Sequence, residues 1–212
     1  MKDHRVLINA SDELVDNYED EGDLRKQFYL VPEYGYTPVC YLAVNKCMFL
    51  GESIPSDDKF MLALRLSEAY LILAEATAKT DPMIALNAVN ELRKKRISEE
   101  KYKDKSGLSG DELLEFVRNE RRRDLCFEGH RWFDLRRYGV CEKYPDSKLL
   151  THNYTYYDNG ASTQMLETHV FTLEPNDAAY ILPIPQEVLD FNTGMVNNER
   201  PWRAYTVTTP KD

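Results

Sequence analysis

No stretch of this chain approaches the roughly 20 consecutive apolar residues that span a bilayer. Even Ala69-Tyr70-Leu71-Ile72-Leu73-Ala74 is closed by Glu75, so a membrane-spanning helix is excluded. The opening residues, Met1-Lys2-Asp3-His4-Arg5, lack the apolar stretch and small-residue cleavage site of a secretory leader, and Cys40, the earliest cysteine, stands too far in to carry a lipid. Taken alone, the chain reads as cytoplasmic or already processed. Four cysteines in 212 residues are too sparse for a disulfide scaffold. Cys40, Cys47, Cys126 and Cys141 form no C-x-x-C pair, and His4, His130, His152 and His169 form no H-E-x-x-H, so neither a metal nor another cofactor is expected. Scattered cysteines of this kind are expected as buried free thiols; a Cys40–Cys47 bridge would require an oxidising compartment. Positive charge is also in deficit. The 27 Lys and Arg face 36 Asp and Glu, a net −9 that makes a polyanion such as DNA a poor partner. There is no G-x-S-x-G elbow, Walker loop or G-x-G-x-x-G, and the carboxylates are too many for one pair to stand out as a glycosidase couple. No enzyme is expected.

What is present is helical periodicity. Residues 1–56 mix short apolar runs with acidic and turn-forming stretches such as Tyr18-Glu19-Asp20-Glu21-Gly22-Asp23, and read as short elements and loops. From Asp57 to Lys79, Leu62, Leu66, Ala69, Leu73 and Ala76 form one apolar stripe at three- and four-residue spacing. Leu64, Leu71 and Ala78 form a second on nearly the opposite side, which predicts a helix sandwiched between neighbours, with Arg65, Glu68, Glu75 and Lys79 on an edge that reaches water. Thr80-Asp81-Pro82 stops this helix and starts another, to about Arg96, because Asp is a good N-cap and Pro suits the first helical position. Ala85, Ala88, Val89 and Leu92 form its apolar face. So short a turn makes the two helices an antiparallel pair with tetratricopeptide-like spacing. After a polar linker from Ser98 to Gly107, Ser109-Gly110-Asp111-Glu112 has the form of a capping box. The helix it opens is predicted to run to Tyr138, bending at Gly129 and stopping at Gly139. Residues 140–178 read as loop and hairpin, and Ile184-Pro185 precedes a short helix, Gln186 to Phe191. The regions are thus 1–56, 57–139 and 140–212, in a mostly α fold of tetratricopeptide-like helix pairs with irregular loops and minor β.

Two sets of residues invite a functional reading. Arg121 and Glu128 fall within the stripe of Leu114, Val117, Leu125 and Trp132, with Arg131 and Asp134 following at helical spacing. Glu128 as a general acid or base, or Arg121 as an anion clamp, is one reading. A structural ion network of Arg121, Glu128, Arg131 and Asp134 locking helices together is favoured, since buried charges persist mainly when paired. Arg118, Arg121, Arg122 and Arg123, interleaved with Glu120 and Asp124, read as a solvated, salt-bridged face. The second set is aromatic. Tyrosine leads the aromatics, with 14 Tyr against 8 Phe and 2 Trp, and Tyr34, Tyr36, Tyr154, Tyr156 and Tyr157 are assigned to loops. An apolar ring face with a polar tip suits a sugar ring, which makes these five the candidate ligand contacts.

Four motifs in order resemble one family: Arg65-Leu66-Ser67-Glu68-Ala69-Tyr70-Leu71-Ile72-Leu73-Ala74-Glu75-Ala76, then Ala88-Val89-Asn90-Glu91-Leu92-Arg93, then the run Glu120 to Leu135 with Phe127-Glu128-Gly129-His130-Arg131-Trp132, then Leu182-Pro183-Ile184-Pro185. Over residues 57–198 the chain resembles the carboxy-terminal part of SusD/RagB proteins. The resemblance implies a non-catalytic, glycan- or nutrient-binding lipoprotein of the Bacteroidetes outer-membrane surface, partnered by a TonB-dependent transporter. Family members are longer, so the chain reads as a fragment or as one half of a split protein. The family motifs describe scaffold and carry no ligand residue to a numbered position here. The alternative is a tetratricopeptide-type module that binds a protein partner in its helix-pair groove. If the 110–138 helix leaves Leu64 and Leu71 uncovered, self-association or a need for an amino-terminal partner is expected.

Overall fold

The computed structural model describes residues 10–18, 21–34, 40–44, 46, 65–157 and 165–209, with side chains at all of these except 31–34, 40–44, 157 and 165. The expectations for Tyr36, Cys47 and residues 57–64, Leu62 and Leu64 among them, fall outside the described residues. The fold is mostly helical with a minor β component, in two compact units, one up to His130 and one from Arg131.

The first unit contains α1 (Asp12–Asn17), α2 (Leu24–Tyr29), the antiparallel strands β1 (Leu30–Tyr34) and β2 (Cys40–Val44), and then α3 (Leu66–Thr77), α4 (Pro82–Arg93) and α5 (Gly110–Asp124). The turn between α3 and α4 follows from its residues: Pro82 opens α4, and the Asp81 carboxylate accepts from the Ile84 N–H at 3.2 Å. Ala85, Ala88, Val89 and Leu92 of α4 are buried, as their spacing predicts. The linker after α4 is pinned. Asn90 donates to the Lys105 carbonyl at 2.9 Å and accepts from its N–H at 3.0 Å, while the Tyr102 hydroxyl donates to the Asn90 carbonyl at 3.1 Å. A second clamp joins Gly22 to Ser98, whose N–H donates to the Gly22 carbonyl at 2.8 Å. Glycine is required there, because φ is +86° and a Cβ would lie 2.5 Å from that of Lys101.

On α3 the helix is not covered on both sides as its two apolar stripes predict, and among the described residues only one stripe is buried. Leu71, Ala74 and Ala78 are fully buried, and Leu71 packs with Leu92 and Leu125. By contrast Leu66 and Leu73 are 73% and 46% exposed, with Ala69 and Ala76 exposed beside them. The charged edge decides which side turns inward. Rather than reaching water, it faces α5 along its length, pairing Lys79 with Asp111, Glu75 with Arg118 at 3.4 Å, Glu68 with Arg121 at 3.6 Å and Arg65 with Asp124 at 3.1 Å. This rotation aims residues 67, 71, 74 and 78 at the core and residues 66, 69, 73 and 76 outward.

The third helix also differs from expectation. It ends at Asp124, and α6 (His130–Gly139) starts after a break, because Phe127 and Gly129 both take left-handed backbone, φ 62° and 81°. Two such residues interrupt the right-handed helical backbone, so the helix stops instead of bending. At its start Ser109 occupies the N-cap without a side-chain cap bond. Gly110 enters at φ 60°, so the first-turn amides do not converge on the Ser109 hydroxyl and no capping box forms. Leu14, Tyr18, Leu30 and Cys126 close a second small core. Cys126 is a buried free thiol and Cys141 a half-buried one.

The second unit contains α6 after its first residue, a three-stranded antiparallel sheet in the order β3 (Leu150–Tyr157), β4 (Met165–Leu173), β5 (Thr206–Thr208), a 3-10 turn (Ala178–Tyr180) and α7 (Gln186–Phe191). In the register Tyr154 faces His169 on one side of β4, and Val207 faces His169 on the other. Among the described residues no helix is long and apolar enough to cross a membrane.

Candidate functional site

The first candidate centre is ionic and lies in the first unit. Arg25, 2% exposed, holds the Asp23 carboxylate with Nε at 2.9 Å and Nη2 at 2.8 Å, and donates through Nη1 to Glu120 at 2.6 Å. Glu120 has no solvent exposure, and it also accepts from Arg123 at 2.6 and 3.2 Å and from Arg93 at 3.5 Å. One turn later Asp124 accepts from Arg96 at 2.6 Å and from Arg65 at 3.1 Å. Arg65 then reaches Glu128 with two donors at 2.8 and 2.9 Å, and Lys46 pairs with the same carboxylate.

The electrostatics follow from this packing. Burial works against a charged Glu120, yet the Arg25 charge, then Arg123 and Arg93, outweigh it and hold its pKa down at about 2. Burial likewise opposes charge on Asp124, and Arg96, Arg25 and Arg65 prevail, holding it below the usual carboxylate range. Burial raises the Cys126 thiol above its ordinary value. A carboxylate kept ionised and enclosed by guanidinium donors is a poor proton shuttle near neutral pH. What this arrangement can do is tie α2, α4 and α5 together.

The four charged residues singled out by sequence divide between the two units, Arg121 and Glu128 in the first and Arg131 and Asp134 in the second. Arg121, 6% exposed, meets Glu68 at 3.6 Å and His130 Nδ1 at 3.3 Å. Glu128 meets Arg65 and Lys46. Asp134, in the second unit with Arg131, accepts from Arg137 at 2.9 Å. The 118–124 run is salt-bridged but not solvated: Glu120, Arg121, Arg123 and Asp124 are all buried. Sequence reasoning missed Asp23, Arg25, Arg93 and Arg96, and placed Glu120 and Asp124 in a solvated face rather than a buried network. A signal existed for the last two, since Leu113, Val117, Glu120 and Asp124 continue one helical stripe at four- and three-residue steps.

The second candidate is aromatic and lies on one face of the three-stranded sheet. Tyr154 and Tyr156 are in β3, not in a loop, and alternation puts both rings on the same side, with centroids 4.9 Å apart. The row continues across the sheet from Tyr156 to His169 at 4.7 Å, from His169 to Tyr205 at 4.3 Å in a stacked pair, and from Tyr205 to Phe171 at 5.3 Å. Tyr154 is 53%, Tyr156 41% and Tyr205 42% exposed, so ring surface is open along the row. His169 Nε2 lies 2.8 Å from Glu167 Oε1, which fixes the imidazole by a hydrogen bond. On the opposite face the Thr155 and Thr168 hydroxyls bond at 3.0 Å.

Of the remaining tyrosines, Tyr157 ends β3 and Tyr34 ends β1, opposite Cys40; their side chains, and the whole of Tyr36, are outside the described residues. His169, Phe171 and Tyr205 were not picked out by sequence. The signal for them was period-two alternation, Tyr154-x-Tyr156 on β3 and His169-x-Phe171 on β4, which assigning the tyrosines to loops concealed.

Comparison with known proteins adds three findings. The SusD family model matches residues 41–202. The SusD-like protein P38 of Formosa agariphila is 28% identical over 141 residues, covering 60% of this chain and 27% of that protein. Two solved structures from Bacteroides vulgatus ATCC 8482 share the fold. One, a SusD-like carbohydrate binding protein, has a TM-score of 0.52 at 21% identity over 85% of this chain; the other, a SusD superfamily protein, has 0.53 at 26% over 84%. The chain spans 39% and 36% of those two structures.

Proposed function

The chain belongs to the SusD family, and from that premise we propose that it is a non-catalytic component of outer-membrane nutrient uptake that captures an oligosaccharide on the aromatic face of its β3-β4-β5 sheet. The observation that carries the reading is the row Tyr154, Tyr156, His169, Tyr205 and Phe171, linked by centroid separations of 4.3 to 5.3 Å. Sugar rings present flat patches of C–H with hydroxyls at the rim. Open tyrosine faces accept the first, while the phenolic hydroxyls and the Glu167 carboxylate meet the second. Family membership supports a setting at the bacterial cell surface, with a TonB-dependent transporter as the proposed partner that receives the cargo. A further support is that one of the solved structures sharing the fold is itself a carbohydrate binding protein.

Titration calorimetry of the chain against a panel of polysaccharide fragments tests the reading. An aromatic contact contributes about 0.5–1.5 kcal/mol beyond its buried area. Each of Tyr154→Ala, Tyr156→Ala and Tyr205→Ala is therefore expected to weaken binding about 2- to 10-fold. Equal affinity in the triple variant would place the site elsewhere. The exposed Leu66 and Leu73 of α3 favour a second reading, a helix-pair surface for a protein partner, which failure to bind any glycan would support.

A further inference from the structure

The second unit holds a cavity that the glycan reading does not use. Its volume is about 530 Å³, inside the roughly 300–1,000 Å³ range of small-ligand sites. It lies between α6 and two segments that follow it, near residues 147–148 and 175–181. Phe133, Val140 and Ile181 give it an apolar lining, and Arg136, Arg137 and Lys148 stand among those rings and methyl groups.

The walls are fixed by bonds outside the opening. The Asp146 N–H donates to the Tyr138 carbonyl at 3.0 Å, anchoring the 147–148 segment to α6. On the other side Asp177 accepts from the Ala179 N–H at 2.8 Å and pairs with Arg203, which in turn donates to the Thr172 carbonyl at 3.1 Å. Tyr180 packs on Trp132 with centroids 5.0 Å apart. Gly139 keeps the space between these walls clear. A Cβ there would stand 3.5 Å from the Ser147 hydroxyl and 3.6 Å from the Asn176 side-chain oxygen, and both residues line the cavity.

The cations are not equivalent. Arg137 is committed to Asp134 at 2.9 Å and lies 4.3 Å over the Tyr138 ring, and Lys148 is 3.7 Å from Asp146. Arg136 is exposed, and among the described residues it has no ion-pair partner. The lining carboxylate, Asp177, is neutralised by Arg203. The cavity thus combines an apolar body with an unmatched positive charge at one edge. We propose that it binds an amphipathic anion, an acyl or aryl carboxylate, with the apolar part against Phe133, Val140 and Ile181 and the carboxylate on Arg136.

Calorimetry on the 212-residue chain with four probes tests this: sodium octanoate, sodium 2-naphthoate, octyl glucoside below its micellar concentration, and octylammonium. At least one carboxylate is expected to bind one-to-one and about ten-fold more tightly than either the neutral or the cationic amphiphile, a difference of about 1.4 kcal/mol. The tighter of the two carboxylates identifies the acyl or the aryl source. Arg136→Glu is expected to weaken it at least five-fold, and Gly139→Leu to abolish it, each with an unchanged melting profile. If Gly139→Leu melts early, the exposed Arg136 variant alone decides. Equal binding of all amphiphiles, no one-to-one binding of either carboxylate, or unchanged affinity in Arg136→Glu overturns the proposal. Because the aromatic row is a separate site, Tyr154→Ala is expected to leave carboxylate binding intact, so failure here and failure of glycan capture are distinguishable.

Discussion

Glu120 has no solvent to share its charge with, so the guanidinium groups of Arg25, Arg93 and Arg123 are all that keep it ionised. Removing the charge leaves those cations buried with too few acceptors, and breaking a buried pair in this way typically costs about 3–5 kcal/mol. Glu120→Gln is expected to lose that much in denaturant unfolding at neutral pH. The same pairing sets an acid limit. Its folded pKa lies at about 2, below the ordinary glutamate value, so the stabilisation is complete above the unfolded value and is lost as pH falls through the folded one. Melting temperature should decline between about pH 5 and 2, and more shallowly in Glu120→Gln; parallel declines would show that other groups set the acid limit. Arg121→Met is expected to lower stability and leave ligand affinity alone, since Arg121 is buried against Glu68 and His130. A parent-like melt with lost binding would reverse that assignment. Gly129 offers a backbone test. Its φ is 81° and a Cβ would meet nothing within 4 Å, so Gly129→Ala isolates the conformational cost, about 1–2 kcal/mol. No change in the melt would mean that the break after α5 tolerates a side chain.

Between α3 and α5 the ion pairs differ in worth according to what surrounds them. Lys79 pairs with Asp111, whose side chain is 93% exposed, whereas Arg65 meets Asp124, which is 0% exposed, and Glu128, which is 12% exposed. Exposed pairs contribute about 0–1 kcal/mol, so Asp111→Asn is expected to leave the melt nearly unchanged while Arg65→Ala lowers it clearly. Comparable losses would mean the row acts as one unit. This row also explains what sequence could and could not reveal. Periodicity located α3, α4 and α5, and Asp81-Pro82 placed one boundary correctly, because local chemistry determines those features. Which of two apolar stripes on α3 faces the core depends on pairing with a helix more than thirty residues away, and spacing on one helix cannot encode that. The aromatic row was half legible for a related reason. Tyr154 and Tyr156 were found, but Tyr205 joins them only through the pairing of β5 with β4.

At the scale of the whole molecule, the described residues leave apolar side chains exposed. Leu66, Ile72 and Leu73 on α3 are 73%, 55% and 46% exposed, and Phe191 and Trp202 in the second unit are 89% and 83% exposed. Exposed apolar side chains gathered on one helix, as on α3, are the material of interfaces. Light scattering over a concentration series is expected to show self-association, reduced by Leu66→Glu with Leu73→Glu; a monomer at high concentration would show that this surface is tolerated in water. The central claim is where the ligand sits. It is tested most directly by recording amide and side-chain shifts of isotopically labelled chain during titration with the tightest-binding oligosaccharide from the calorimetric panel. Shifts concentrated at Tyr154, Tyr156, His169, Phe171 and Tyr205 are the expected result. A saturable response on α3 and α4 with the sheet unmoved, or no response to any glycan, would contradict it.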